Sequence, residues 1–488
     1  MESTVSIAKP WRRRMNHLSR YTSVHFLLVF LFTAFYTRAQ ALTTDAQENV
    51  IVGNVIVEGN HRTRGSIILR EMAIKSGDTI AAPQLAEKIE IDRRKVVNTN
   101  LFITVQILTK PNEDSLRTDL KIVVKERWYL IVFPVFDLAD RNFNEWWYDR
   151  NRDLRRTTYG VYMSYGNVTG RNDKLRFLAE FGFIPKFDLS YSLPYIDKAQ
   201  KTGITVGGSY SLNKSMAFRT WKDKLDFINS ESINRERFYT FVNITRRNKY
   251  YTFHSLDLRF SHANISDTIA ALNPNYLLNS RTKQNFFQLT YSFTYDKRDN
   301  AQYALRGAAA GIQVSKLGLL PSDDINQLYL YGSYRKYLPI SKRWYANTGF
   351  RFRISAPKRQ PYLQTVGLGY RNDLVRGYEL YVIDGQDYAL IKNEVKYKLF
   401  SFQKQLGWIP VRQFNTIPLA AYLNTFADAG YVQNKYSEFS NTGLGNKMLF
   451  GAGAGLDVVT FYNIVARMNL TYNAKGERRF FFNIYREF

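Results

Sequence analysis

From residue 131 to the C-terminus the chain is a succession of segments in which apolar and polar residues alternate, and this pattern restricts the fold more than any other. Successive side chains of a strand point to opposite faces, so alternation describes a sheet whose two faces meet different surroundings. In 344–354 one face carries Ala346, Thr348, Phe350, Phe352 and Ile354, and the other Tyr345, Asn347, Gly349, Arg351 and Arg353. In 173–182 Leu175, Phe177, Ala179 and Phe181 alternate with Lys174, Arg176 and Glu180. The pattern yields sixteen candidate strands: 131–138, 157–165, 173–182, 186–195, 203–213, 236–247, 250–262, 285–296, 308–316, 325–337, 344–354, 387–399, 418–428, 447–458, 461–471 and 479–488. Most exceed the five or six residues usual in soluble sheets and match the nine to eleven that a tilted strand needs to cross a bilayer. Lipid offers no hydrogen-bond partner, so such a sheet must close. The connections alternate long and short, the asymmetry of outer-membrane barrels. The expected fold is an all-β transmembrane barrel of sixteen antiparallel strands.

The chain has 488 residues and a formal charge of +26, and Tyr and Phe, 34 each, make it rich in aromatics. Strong basicity points to an anionic partner: nucleic acid, phospholipid or lipopolysaccharide. The charge is spread over lumen faces and turns, which favours hydrated walls and anionic outer-membrane lipid over nucleic acid. There is no cysteine, which excludes a disulfide scaffold, thiolate metal sites, a cysteine nucleophile and a lipid-anchored N-terminus. Lys9, Arg12, Arg13, Arg14 and Arg20 precede an apolar run, 24–36, followed by Ala39 and Ala41. This is the layout of a secretory signal peptide, expected over 1–39 with cleavage after Ala39 or Ala41. Removing 1–39 takes away six basic residues and one acidic residue, so the basicity belongs to the mature chain.

Residues 47–127 differ in pattern from the rest of the chain. A β-branched strand at 50–57 ends at Gly59-Asn60, and Thr63 is the expected N-cap of a helix carrying Ile67, Ile68, Leu69 and Met72. Pro83 opens a second helix with Leu85, Ile89, Val96 and Val97 on one face, and strands at 103–108 and 120–124 complete a β-α-α-β-β domain. An open edge of its sheet could take another chain by strand addition, or be guarded by charges such as Lys121 and Lys125. After Arg127 helical signals stop, leaving 128–488 to the barrel.

The longest connection, 356–386, is apolar, with Tyr362, Leu363, Val366, Leu368, Val375, Tyr378 and Tyr381, so it must pack on something. It contains Val375-Arg376-Gly377-Tyr378. Phe426-Ala427-Asp428-Ala429-Gly430 lies in the thirteenth strand, Asp296-Lys297-Arg298-Asp299 succeeds the eighth, and the chain closes on 480–488 with a terminal Phe488. With a single domain like 47–127 before them, these motifs resemble the BamA/TamA superfamily of outer-membrane assembly factors, and 47–127 resembles one POTRA domain. The general assembly factors of that family usually carry several POTRA domains. The resemblance implies a sixth outer loop folded into the lumen, its Arg376 pairing with acids on the wall. Strand parity turns Asp428 and Phe426 inward on one strand and Lys392, Glu394 and Lys396 inward on another, with Gly451, Gly453, Gly455 and Asp457 facing them. The expected latch is therefore Val375, Arg376, Gly377, Tyr378, Glu394 and Asp428, beside the motif Phe426, Asp428 and Gly430.

Closure pairs the first strand with the last. Pro134 in the first removes a ladder donor and reads either as a weak seam or as a proline near a strand start. The closing strand presents Phe480, Phe482, Ile484 and Phe488. The resemblance implies insertion of client barrels through that seam, or dedicated export of one protein or lipid. Its implied partners are outer-membrane lipid and lipopolysaccharide, unfolded outer-membrane client proteins, and periplasmic or lipoprotein accessory subunits. Only His61, His254 and His262 remain after the leader, and no catalytic or metal-ligand spacing stands out, so neither enzyme nor cofactor chemistry is expected. A diffusion porin is the remaining rival, but it needs no POTRA domain.

Overall fold

The computed structural model describes residues 49–485 except 112–116, 198, 200, 301–302, 371–372, 406–415, 437–442 and 461–463. The expected signal peptide and Phe488 lie outside the described residues. The N-terminal part has strands β1 (Asn49–Glu58), β2 (Thr79–Ala81), β3 (Phe102–Pro111) and β4 (Arg117–Glu126), with helices α1 (Gly65–Leu69) and α2 (Ala82–Val97). The sheet order is β2-β1-β4-β3, so one short strand joins the expected β-α-α-β-β set. Helix α2 accepts Pro83 in its first turn, where no intrahelical donor is needed. Asp92 and Val96 on it are fully buried, and the Asp92 carboxylate accepts from the Ala73 amide and the Lys95 ammonium, both at 2.8 Å. A buried charge persists only when satisfied in this way.

Two details differ from the sequence expectation. The N-cap of α1 is Arg64, without a side-chain cap bond, and the helix is only five residues long; Thr63 instead gives its amide to Glu126 Oε1 at 2.6 Å. Strand β4, with Lys121 and Lys125, lies inside the sheet, so these lysines guard no edge; Lys121 pairs with Glu58 at 2.7 Å. The long edge strand is β3.

The second part contains β5 (Leu130–Leu138), β6 (Thr157–Gly166), β7 (Lys174–Gly182), β8 (Lys186–Leu193), β9 (Thr202–Asn213), β10 (Met216–Trp221), β11 (Lys224–Ile228), β12 (Arg235–Lys249), β13 (Thr252–Ile265) and β14 (Lys283–Asp296). It continues with β15 (Gly307–Leu317), β16 (Gln327–Pro339), β17 (Trp344–Ala356), β18 (Asp387–Gln405), β19 (Thr416–Gln433), β20 (Met448–Val459), β21 (Val465–Asn473) and β22 (Arg478–Tyr485). All but β10 and β11 form one sixteen-stranded antiparallel sheet in sequence order from β5 to β22. Its outer face exposes large apolar side chains at every second position or multiples of it: Phe238 and Val242 on β12, Phe350 and Ile354 on β17, Ile391, Val395 and Leu399 on β18, Phe480 and Ile484 on β22. A band of that extent fits lipid rather than water. The alternate positions turn inward, with Tyr345 and Arg353 buried on β17 and Glu394 and Lys396 on β18. Contacts across the interior, such as the Tyr303 hydroxyl to Asp457 Oδ2 at 2.9 Å, show the sheet curled into a barrel.

Helical structure does not stop at Arg127. Helix α3 (Phe143–Asp149) lies in the connection after β5 and α4 (Asp267–Leu272) in that after β13, while β10 and β11 form a separate hairpin between β9 and β12. Asn142 Oδ1 caps α3 by accepting from the Glu145 amide at 2.9 Å, and Ser266 caps α4. The hairpin, α4 and the residues just after it pack a small apolar core of Met216, Phe218, Ile269, Tyr276 and Leu277 against Tyr362 of the longest connection. The expected ladder between first and last strands is also missing: β5 and β22 stand at opposite ends of the sheet order, and among the described residues no pairing joins them. Pro134 sits mid-strand in β5 rather than near its start, on a strand at the end of the sheet, where a missing N–H is tolerated.

Candidate functional site

The connection 357–386 folds back on itself. Leu368 and Ile383 exchange main-chain hydrogen bonds at 3.0 and 2.8 Å, and Tyr378 N–H bonds Val375 carbonyl at 3.0 Å. This turn places Leu368, Val375, Tyr378, Tyr381 and Ile383 in one buried cluster with Tyr388, Leu390, Val432 and Leu449 of the barrel strands. The apolar residues of this connection therefore pack on the inner wall. Two arginines of β17 fasten it: Arg351 bonds Asp373 at 2.5 Å, and Arg353 donates to the Val366 and Gln364 carbonyls at 2.6 and 2.9 Å.

Arg376 projects from this cluster to β18 and β19. Its Nε and Nη2 donate to the two carboxylate oxygens of Asp428 at 2.8 and 2.6 Å, a bidentate fork, and its amide also donates to Asp428, at 3.1 Å. Nη1 reaches Glu394 Oε1 at 3.1 Å, and Nη2 also reaches the Asn393 carbonyl at 3.2 Å. The guanidinium lies 3.9 Å from the centroid of the Phe426 ring. Arg376, Asp428 and Glu394 are 5%, 3% and 7% exposed, so these contacts replace water almost completely. Arginine fits because its planar fork can satisfy a carboxylate bidentately while its face stacks on an aromatic ring.

Two glycines make the approach possible. At Gly451 on β20 a Cβ would stand 1.8 Å from the Arg376 carbonyl oxygen, so the loop backbone lies directly against the strand. Gly377 has φ +96°, a conformation costly for any side chain, and its carbonyl accepts from Asn473 Nδ2 at 2.8 Å.

The ion pair continues into a wider network. Glu394 accepts from Asn347 Nδ2 at 2.8 Å and lies 3.3 Å from Lys396; Asp457 takes Arg467 in a second fork at 2.7 and 2.8 Å. Arg467, Asn347 and Tyr303 stand outside the motifs that mark the latch in the sequence. Parity with Asn469 and Thr471 on β21 is the signal that would place Arg467 here, whereas Tyr303 lies in a turn that carries no parity. Of the remaining candidates, Gly430 on β19 belongs with the latch, since a Cβ there would stand 2.6 Å from Val375 Cγ2 and 2.8 Å from Leu368 Cδ1, whereas Pro134 on β5 and Phe480, Phe482 and Ile484 on β22 are not gathered here.

The inner loop and the last strand meet through α3 and the residues just before it. Asn142 Nδ2 donates to the Glu379 carbonyl at 2.9 Å and Arg141 to the Tyr381 carbonyl at 3.2 Å. On its other side α3 touches β22, through Asn144 to Phe482 and a Phe143–Phe482 ring contact at 6.0 Å. Glu145 is buried between Arg141 at 2.7 Å and Arg150 at 2.9 Å. Burial pushes its carboxyl up, but the two guanidiniums outweigh burial and hold it below the ordinary 4.5. Among the described residues no group of three metal-ligating side chains occurs.

Residues 167–486 match the Omp85 superfamily domain model, and residues 50–127 match the surface antigen variable number repeat, or POTRA, model. The outer membrane protein assembly factor BamA of Nitratidesulfovibrio vulgaris is 33% identical over 81 residues, 17% of this chain and 10% of that protein. The match thus spans a tenth of the relative's length. The fold is similar to BamA of Haemophilus ducreyi lacking POTRA domains 1–3, with TM-score 0.52 and 15% identity over 89% of this chain and 85% of that one. It is also similar to CdiB of Escherichia coli, with TM-score 0.53 and 12% identity over 90% of this chain and 76% of that one. The chain belongs to the Omp85 superfamily: it is an outer-membrane β-barrel preceded by a periplasmic POTRA domain.

Proposed function

We propose that the protein inserts client barrels into the outer membrane. Residues 1–39 serve as the secretory signal, 47–127 as the periplasmic unit and 128–488 as the barrel. Client strands bind first along the open edge of β3 and then pair at the seam between β5 and β22. The observation that carries this reading is the position of β22 at the end of the sheet with no ladder to β5 among the described residues. Such an edge accepts a new strand by exchanging hydrogen bonds, which needs neither nucleotide nor covalent chemistry. The Arg376–Asp428–Glu394 latch keeps the inner loop seated and the adjoining wall rigid while the seam works. Outer-membrane lipid and lipopolysaccharide, unfolded outer-membrane proteins and periplasmic or lipoprotein accessory subunits are the partners this role requires.

Dedicated export of one protein or lipid is the second reading. A lumen recess of about 200 Å³ bordered by Arg335, Lys392, Arg351 paired with Asp373, and Arg298 paired with Asp296 on the same rim favours it, since its net positive charge suits an anionic cargo. Depleting the protein and taking an inventory of the outer membrane separates the two. Broad loss of barrel proteins supports insertion, and loss of a single surface molecule supports export.

A further inference from the structure

The edge of β22 carries contacts that barrel architecture does not require. Asn144 of α3 donates from Nδ2 to the Phe482 carbonyl at 3.2 Å and accepts on Oδ1 from the Phe482 amide at 3.1 Å. The Tyr148 hydroxyl donates to the Phe480 carbonyl at 3.3 Å. Residues two apart on a strand present their main-chain groups to the same side, so both contacts fall on the edge of β22 away from β21. A primary carboxamide offers the same donor and acceptor as a peptide group. Asn144 thus makes on Phe482 the pair of bonds that a residue of a neighbouring strand makes.

The helix that presents Asn144 is held by polar contacts beside the Phe143–Phe482 ring contact. Asn142 and Arg141, just before it, bind the carbonyls of Glu379 and Tyr381, three and five residues beyond Arg376. Lys224 of the β10–β11 hairpin pairs with Asp149 at its end at 2.6 Å. Asn144 itself is 2% exposed, whereas Phe143, Trp147 and Tyr148 are exposed and form an aromatic face. Beside the ring contact of Phe143 with Phe482, this helix presents hydrogen-bonding groups to the strand's main chain, which space filling alone would not need.

We propose that α3 is a surrogate strand that covers the pairing edge of β22 until an extended β-segment of a client displaces it. The partner is recognised chiefly by its main chain, because the bonds of Asn144 to Phe482 and of Tyr148 to Phe480 are to main-chain groups, with one side-chain contact beside them, Asn144 Nδ2 to Asn483 Oδ1 at 3.3 Å. The bonds from α3 to residues 379–381 make release of the edge depend on the seating of the loop that carries Arg376. This inference rests on the reading of the seam as a strand-accepting edge.

The test uses the full chain in phosphatidylethanolamine–phosphatidylglycerol vesicles and a synthetic peptide of residues 478–485 bearing a photoreactive group. Its capture on 480–484 is mapped by mass spectrometry, and barrel folding is checked by heat-modifiable gel migration. Asn144→Ala raises capture roughly tenfold, the worth of one to two neutral hydrogen bonds. Asn144→Asp keeps the acceptor but loses the donor, and gives an intermediate rise. The chain has no native cysteine, so Phe143→Cys with Phe482→Cys can be joined by a short cleavable thiol cross-linker. Tethering abolishes capture, and cleavage restores it. Capture within twofold of the parent in Asn144→Ala, or persisting in the tethered form, overturns the proposal; the tether decides alone if Asn144→Ala does not fold. Raised capture together with an intact inventory after depletion would keep this inference and remove the insertion reading.

Discussion

Asp428→Ala probes the latch most directly. It deletes the acceptor of three Arg376 hydrogen bonds, at 2.6, 2.8 and 3.1 Å, and leaves a guanidinium that is almost fully buried. Removing one partner of a buried ion pair costs about 3–5 kcal/mol, because the other charge stays desolvated. Here Glu394 at 3.1 Å and the Phe426 ring at 3.9 Å remain, which places the expected loss near the lower end, about 3 kcal/mol. Arg376→Ala strands the Asp428 carboxylate with Lys392 at 3.9 Å as its nearest cation, and the expected loss is similar. The double variant removes both charges and should lose about 3–4 kcal/mol, leaving a coupling of about 2–3 kcal/mol. The assay is equilibrium urea unfolding in detergent micelles tracked by tryptophan fluorescence, with gel migration as a second probe. Losses that add to within about 0.5 kcal/mol would refute the pairing as an energetic unit.

Gly451→Ala places a methyl group 1.8 Å from the Arg376 carbonyl oxygen. It should unseat the loop, at a cost of about 1–3 kcal/mol, and expose 357–386 to protease; an unchanged digestion pattern would contradict the close approach. Arg351→Ala breaks a pair whose side chains are about a quarter exposed, so its expected cost is smaller, about 1 kcal/mol, measured in the same unfolding assay. Acid should loosen α3. With the Glu145 carboxyl held below 4.5, its ion pairs contribute fully above the ordinary carboxylate range and are lost as pH falls through the lowered folded value. The fluorescence of Trp146 and Trp147 should report that transition, and Glu145→Gln should lack it. Identical acid profiles would assign the transition elsewhere.

How far the sequence reaches depends on the range of the interaction. Alternation with period two is set by local strand geometry, so the sixteen strands and their faces are legible in it: Phe350 and Ile354 outward on β17, Tyr345 and Arg353 inward. The same parity turns Glu394 and Asp428 into the lumen. A short-range capping signal is present as well, since Asn142 three residues before Glu145 marks a helix start, but the helix is only about two turns long, set among strands, and carries too little periodicity to announce it.

Tertiary structure alone decided the rest. That Tyr303 meets Asp457 across the lumen comes from the curl of the sheet, which no local pattern encodes. That the first and last strands carry no mutual ladder among the described residues, with Asn144 standing on Phe482 instead, is a choice between two hydrogen-bonded edges. A ladder and a side-chain cap satisfy the same main-chain groups, so the residues of β22 read alike in either case. Which one prevails is set by where the connection after β5 comes to rest, and Glu379 and Tyr381, far away in sequence, hold it there.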